Sequence, residues 1–281
     1  MICTAALLAI TLSVVTEIWT LPLQNASMVE GAVRRIKREP SGFLDPEDIG
    51  VMDKIISANR RFGVAGVSIR DADIATLNPR SALICPGNSC LWPKSVDGFV
   101  YVPYMISQFY DDMDRITIET GMLDIMSKTC VKFIPRTHEA NFLNIQPKRG
   151  CWSYLGMIGG PQTLSLQTPA CMWSGVASHE LMHALSFVHE HSRSDRDAYV
   201  TIRWQNIMRG QAHNFQKHRT HNTLAYDYSS VMHYGRYAFS EEGEPTIIPK
   251  PDPTMPIGQR DGPSVSDIHK INVLYDCGGM V

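Results

Sequence analysis

The run His179-Glu180-Leu181-Met182-His183-Ala184-Leu185-Ser186-Phe187-Val188-His189 restricts what this chain can fold into more than any other stretch. Residues four apart share one face of a helix, so His179 and His183 can offer imidazole nitrogens to one ion. His189 follows six residues after His183, more than a helical turn, and reaches the same ion only if the chain leaves the helix and bends back. Three protein ligands leave one position on a zinc ion for water, whose pKa the metal lowers toward about 7. Glu180 stands beside that position and is the candidate general base. A bare pair of histidines at this interval also suits an ordinary surface or core helix; the third histidine and the following Glu190 select the metal reading.

The surrounding chain bounds the context. At 281 residues, with 44% hydrophobic and 19% charged residues, it suits one catalytic domain plus a leader or two domains. A net charge of -2 gives no footprint for nucleic acid. The apolar run Ala5-Ala6-Leu7-Leu8-Ala9-Ile10, continuing through Leu12 and Val14, has the length of a signal-peptide core and is too short for a membrane span, although no basic residue precedes it. Residues 1–20 are therefore read as a signal peptide, with Thr20 and Ala26 as alternative ends. No later stretch is apolar enough to cross a membrane. Of the 7 cysteines, Cys3 falls in the leader, leaving Cys85, Cys90, Cys130, Cys151, Cys171 and Cys277. An even set in an exported domain argues for three disulfides, whose pairing spacing alone does not choose.

Residues 21–80 read as a pro-segment, charged and without cysteine. Arg35-Ile36-Lys37-Arg38 suits either a basic-specific convertase or a solvated charge run, and Asn25-Ala26-Ser27 is a glycosylation sequon. A turn-prone basic site at Asn78-Pro79-Arg80-Ser81-Ala82 makes residues 81–281 the expected mature domain. Within it, Phe99-Val100-Tyr101-Val102 alternates as a strand. Ile106, Phe109, Met113, Ile116 and Leu123 recur as on a helix burying that side as core, weakened by Gly121 near its end. Strands are expected at 131–134, 144–146, 152–155 and 163–166, forming a sheet behind the metal helix. Ser165 and Leu166 are candidates for an exposed edge that pairs with an extended peptide, against an ordinary internal strand. Ser174 is the expected cap of the metal helix. On charge alone Arg193-Ser194-Asp195-Arg196-Asp197 reads as a solvated loop. Ser264-Val265-Ser266-Asp267 has capping-box spacing, and Ile268, Ile271, Leu274 and Tyr275 give the helix after it an apolar face.

His179 through Glu190 together with Ser230-Val231-Met232-His233-Tyr234 resemble the zinc motif and Met-turn of the astacin family of metzincin metalloproteases. Gly150-Cys151-Trp152-Ser153-Tyr154, Asp195-Arg196-Asp197 and Ile257-Gly258-Gln259-Arg260 extend the resemblance over about Ser81 to Cys277. It implies an α+β fold: a twisted, mainly parallel sheet with an antiparallel edge strand and the active-site helix in the N-terminal half, a mostly irregular C-terminal half with one long helix, and a cleft between. It implies one zinc ion per subunit on His179, His183 and His189, with Glu180 as general base. Tyr234 becomes a switchable ligand that stabilises the oxyanion, and Met232 the floor under the metal. It implies the pairs Cys130–Cys277 and Cys151–Cys171, with Cys85–Cys90 as an extra pair, and this six-cysteine set resembles the fish hatching-enzyme branch. Family members are secreted, latent until an activating protease cuts them, and act on extended polypeptide. A monomer, with storage in secretory granules before release, is the matching expectation. Asp73, in Arg70-Asp71-Ala72-Asp73 where the family has Phe-x-Gly-Asp, is the candidate zymogen ligand, and Ser81 after cleavage is the expected partner of Glu190.

One departure falls inside the central motif: Ser186 stands where the family has glycine. A positive φ there costs a serine about 1–2 kcal/mol. Beside the endopeptidase reading stand a non-catalytic extracellular binding module on the same scaffold, which Ser186 motivates and Glu180 opposes, and a different zinc hydrolase, which His189 and Met232 oppose.

Overall fold

A computed structural model of the protein describes residues 50–62, 67–76, 89–259 and 261–278. All of them fall in the larger of two compact units, Leu44–Val281. The expected signal peptide, the sequon, Arg35–Arg38, Arg80, Ser81 and Cys85 lie outside the described residues.

The architecture is α+β. Strands β1 (Ser68–Arg70), β2 (Ile74–Thr76), β3 (Val100–Ile106), β4 (Val131–Pro135), β5 (Phe142–Gln146), β6 (Cys151–Tyr154) and β7 (Pro161–Leu166) form one sheet in the order β1-β2-β6-β7-β5-β3-β4. β3, β4, β5 and β7 run parallel, and β6 turns antiparallel on β7. Parallel strands are covered on both faces and so are rich in apolar residues; accordingly Val100, Val102, Leu143, Ile145 and Leu164 are all buried. Helices α1 (Val51–Phe62), α2 (Asp112–Met126) and α3 (Ser174–Ala184) follow the chain order, with α3 between α2 and the sheet's β6 end. The C-terminal half is irregular apart from the pair β8 (Val200–Ile202) and β9 (Ile247–Pro249), short 3-10 turns, and α4 (Val265–Leu274), a helix of only 10 residues.

The packing of α2 corrects the sequence reading. Phe109, Met113, Ile116 and Leu123, expected in the core, are 80%, 69%, 54% and 58% exposed, and Ile106 ends β3 instead. The opposite face, with Ile118, Gly121, Met122 and Ile125, is buried. The choice is steric. A Cβ on Gly121 would lie 2.8 Å from the Ala177 Cβ and 2.9 Å from the Ser174 carbonyl of α3, so the helices meet where α2 has no side chain. Periodicity identified a face, while close approach at Gly121 decided which face packs.

Two disulfides fasten this frame. Cys130–Cys277 ties the start of β4 to the segment after α4, and Cys151–Cys171 ties β6 to the approach to α3. Cys90 is also disulfide-bonded. α4 opens on the expected capping box, with Ser264 accepting from the Asp267 N–H and the Asp267 carboxylate accepting from the Ser264 N–H. Ile268, Ile271 and Tyr275 are buried beneath it, whereas Leu274 is exposed.

Candidate metal centre and active site

α3 presents His179, Glu180 and His183, and every residue from Gly175 to Ala184 is buried. Ser174 does not cap this helix. Trp173 is the extended N-cap residue and makes no side-chain cap, which leaves Ser174 as the first helical residue. At the other end the Ser186 N–H donates to the His183 carbonyl (2.9 Å) and the Phe187 N–H to the Met182 carbonyl (3.0 Å). This is the Schellman closure, whose turning residue adopts a left-handed conformation. That residue is Ser186, at φ 77°. Its hydroxyl donates to the Cys90 carbonyl at 3.2 Å, which offsets part of the strain. The reversal brings His189 back beside the helix, where the three imidazole rings lie with centroids 4.7 to 5.4 Å apart.

Hydrogen bonds set the tautomers. His179 Nδ1 donates to the Val231 carbonyl (2.9 Å) and His183 Nδ1 to the Phe187 carbonyl (2.7 Å), leaving both Nε2 lone pairs free. All three Nε2 atoms converge on the Asp73 carboxylate: His179 at 3.1 Å from Oδ2, and His183 and His189 at 3.3 and 3.1 Å from Oδ1. Yet His183 Nε2, His189 Nε2 and Asp73 Oδ1 have no hydrogen-bond partner among the described residues. Atoms this close that are not aimed at one another point to a common centre, and one ligand atom from each of the four residues falls within 4.8 Å of the others. Three imidazoles and a carboxylate, buried and with one ligand atom each converging on a common point, fit one zinc ion.

The charges agree. Burial chiefly holds the His179 imidazole down to a pKa of about 4, against the raising effect of the Asp73 carboxylate 3.1 Å from its Nε2. Burial likewise lowers His189. For Asp73 burial opposes ionisation, but the imidazoles of His189 and His183 outweigh it and hold the carboxyl well below its usual range. Glu180 is buried with neither carboxylate oxygen paired, and burial followed by the Asp73 charge pushes its pKa well up.

A second layer holds the first. Val231 and Met232 follow Ser230, and the Asp267 carboxylate accepts from the Ser230 hydroxyl (2.6 Å) and the Val231 N–H (2.8 Å). Met232 is buried, and its carbonyl accepts from the Glu190 N–H at 2.9 Å. The Tyr234 ring stacks on His191 at 3.8 Å, and its hydroxyl donates to the Asp71 carbonyl (2.9 Å), not toward the histidine centre. Glu190 accepts from Arg193 (3.0 Å) and Lys270 (2.7 Å).

Two sequence expectations change here. Ser165 and Leu166 are not an edge: they sit in β7 between β5 and β6, paired with Gln146 and Trp152 for Ser165 and with Cys151 for Leu166, and both are buried. On that side the outermost strand from residue 89 onward is β6, and β2 already lies along it in parallel, Ile74 opposite Ser153 and Ala75 opposite Tyr154. Nor is Arg193 to Asp197 solvated throughout: Ser194 and Asp197 are exposed, but the two arginines are not. Arg193 and Arg196 are buried, Arg193 paired with Glu190 and Asp195, and Arg196 donating to the carbonyls of His191 and Phe215 (2.9 Å each). Charge alone gave the wrong reading because these guanidiniums find acceptors on distant segments of the chain.

Residues that sequence reasoning missed surround the Asp71–Asp73 turn. Asn59 donates to the carbonyls of Ala72 and Cys151, Asn214 accepts from the Ala72 N–H, and His218 bonds the Asp71 carboxylate at 2.8 Å. No spacing signal marks them, since the partners lie 13 to 147 residues apart.

Three converging histidines, two of them on a buried helix, with an unpaired buried glutamate in the same helix, define a zinc metalloendopeptidase. The family model described as Astacin, a family of peptidases, matches residues 89–276, and the chain belongs to the astacin family. It is 50% identical over 209 residues to High choriolytic enzyme 2 of Oryzias latipes, covering 74% of this chain and 75% of that one. Astacin-like metalloendopeptidase of Gallus gallus is 42% identical over 236 residues, 83% of this chain and 56% of the relative. The solved structure of High choriolytic enzyme 1, a hatching enzyme zinc-protease from Oryzias latipes, is 50% identical, covers 70% of this chain and all of its own, and superposes with a TM-score of 0.68. The non-catalytic module is thereby set aside, and Ser186 keeps the geometry that the motif requires.

Proposed function

We propose that the full chain is the latent form of a secreted zinc endopeptidase of the hatching type, acting on egg-envelope protein. The observation that carries latency is the Asp73 carboxylate at the meeting point of His179, His183 and His189. While it is there, the position a water needs is taken, β2 covers the strand edge that a peptide needs, and the Tyr234 hydroxyl is engaged with Asp71. A cut by an activating protease after Arg80 releases all three and frees Ser81 to join Glu190.

Held by the three histidines, zinc supplies Lewis acidity to a peptide carbonyl and to water. Glu180 takes the proton of the attacking water and hands it to the departing amine. Its raised pKa comes partly from the Asp73 charge, so release of Asp73 lowers it toward a value suited to a base. Tyr234, freed from Asp71, donates to the substrate oxygen as charge develops there. Support for an egg-envelope substrate is the 50% identity with a choriolytic enzyme, and the proposed role requires export from the cell.

The test compares zinc-loaded full chain before and after processing on peptides and on isolated egg envelope. The uncut chain is expected to be inactive, the Asp73→Ala chain active without a cut, and the processed amino terminus Ser81. Equal activity of cut and uncut wild type refutes latency. Failure on egg envelope with digestion of other matrices removes the substrate assignment and leaves the peptidase.

A further inference from the structure

One peptide group of the Asp71–Asp73 turn is held at both ends by the rest of the chain. The Asp71 carbonyl accepts from the Tyr234 hydroxyl (2.9 Å), and the Ala72 N–H, across the same peptide bond, donates to Oδ1 of Asn214 (3.1 Å). In a trans peptide the C=O and N–H point opposite ways, so the phenol and the carboxamide face each other across a slot one peptide group wide. The slot lies beside the metal centre, since Ala72 is followed by Asp73, whose carboxylate meets the three histidines. Asp71 and Ala72 both have positive φ, 49° and 76°. An extended peptide therefore cannot follow the path of the turn, and shares with it only the single peptide group.

Asn214 is fixed by residues beyond Arg80. It is 2% exposed and belongs to the 3-10 turn Ala212–Phe215. Its Nδ2 donates to Gln211 Oε1 at 2.8 Å, which leaves Oδ1 as the end that faces Ala72. Its carbonyl accepts from His191 Nε2 at 3.0 Å, and the His191 ring stacks on Tyr234 at 3.8 Å. The next residue, Phe215, packs edge-on to the Tyr234 ring at 5.8 Å. Acceptor and hydroxyl thus belong to one packed unit that remains when the turn departs. Every substrate residue except proline brings a main-chain N–H that can replace that of Ala72.

We infer that Asn214 is a substrate-binding residue that accepts a main-chain N–H beside the scissile bond, in the slot that the Asp71–Ala72 peptide group fills in the uncut chain. This rests on the latent reading of the turn proposed above. The contact is to backbone, so it sets the register of the peptide over the metal centre and is indifferent to side chains, proline excepted.

The test uses zinc-loaded protein processed from the full chain. kcat/KM is measured for matched peptides in which one N–H is replaced by an ester oxygen, at each of two residues on either side of the cut, the scissile amide being kept. Wild type is expected to lose about three- to tenfold at one of these positions. On the same exchange Asn214→Leu is expected to lose about twofold or less, and Asn214→Asp, which keeps an acceptor oxygen, to retain the discrimination. Calorimetry with processed Glu180→Ala protein, with and without Asn214→Leu, is expected to show the same discrimination in Kd. Equal affinity of the Asn214 form for the amide and every ester, or an ester penalty that survives Asn214→Leu, overturns the inference; the first outcome needs no variant at Asn214 to fold. Discrimination that depends on Asn214 in a protein whose uncut chain is as active as the cut one supports the inference and removes latency instead.

Discussion

Asp267→Ala is expected to damage both stability and metal binding, although Asp267 touches neither metal ligand nor substrate. Its carboxylate accepts from the Ser230 hydroxyl at 2.6 Å, the Val231 N–H at 2.8 Å and the Ser264 N–H at 3.0 Å. Bonds to a charged acceptor contribute about 1.5–3 kcal/mol each. Against them stands the burial of the carboxylate, which pushes its pKa above the usual range despite these donors; that cost is several kcal/mol and is relieved on truncation. The net loss is about 2–4 kcal/mol, a fall in Tm of roughly 5–12 °C for a domain near 200 residues. Val231 carries the carbonyl that fixes the His179 tautomer, so zinc affinity is expected to drop about 10–100-fold as an outer-shell support is lost. Differential scanning calorimetry and competition with a chromophoric chelator measure the two effects. A Tm change under about 2 °C with unchanged zinc affinity would refute this chain of support.

Other variants probe the remaining layers. Glu180→Ala is expected to keep zinc, lose peptide cleavage by at least about a hundredfold, and raise Tm by removing an unpaired buried acid; undiminished cleavage contradicts the base assignment. Arg193→Ala leaves Glu190 with Lys270 as its remaining ion pair, removes the Asp195 ion pair with Arg193 and leaves the Leu224 and Ala225 carbonyls without the Arg193 donor, a loss of about 2–4 kcal/mol by urea titration. Ser186→Gly relieves about 1–2 kcal/mol of strain but loses the bond to Cys90, about 0.5–1.5 kcal/mol, and adds unfolded-state entropy of about 0.4–1 kcal/mol, so it stays within about 1 kcal/mol of wild type. Ser186→Ala keeps the strain without the bond and falls below both; an alanine variant as stable as glycine denies the strain. For chelated protein, the fold keeps His179 neutral down to about pH 4, whereas the unfolded chain takes up that proton near 6.5. Acidification from about pH 7 to 4 therefore favours unfolding, and a Tm that is flat over that window in the chelated form contradicts the buried, neutral histidine.

The sequence by itself determined which three histidines converge, the glutamate that lies in the same helix, the helix and strand content of residues 100–184, and the strained place of Ser186. These are legible because ligand spacing on a helix, alternation in a strand and the need for a left-handed turn are local properties of the chain. The capping box at Ser264 is legible for the same reason. Tertiary structure alone decided which face of α2 is buried, because the contact of Gly121 with Ala177 depends on a helix more than 50 residues later. It alone placed Ser165 and Leu166 inside the sheet, buried Arg193 and Arg196, gave Asp267 its second task beneath the Met232 turn, and set His218 against Asp71. Each of those outcomes is a pairing between distant segments, and a periodic or compositional signal carries no information about which distant donor or acceptor the folded chain brings within 3 Å.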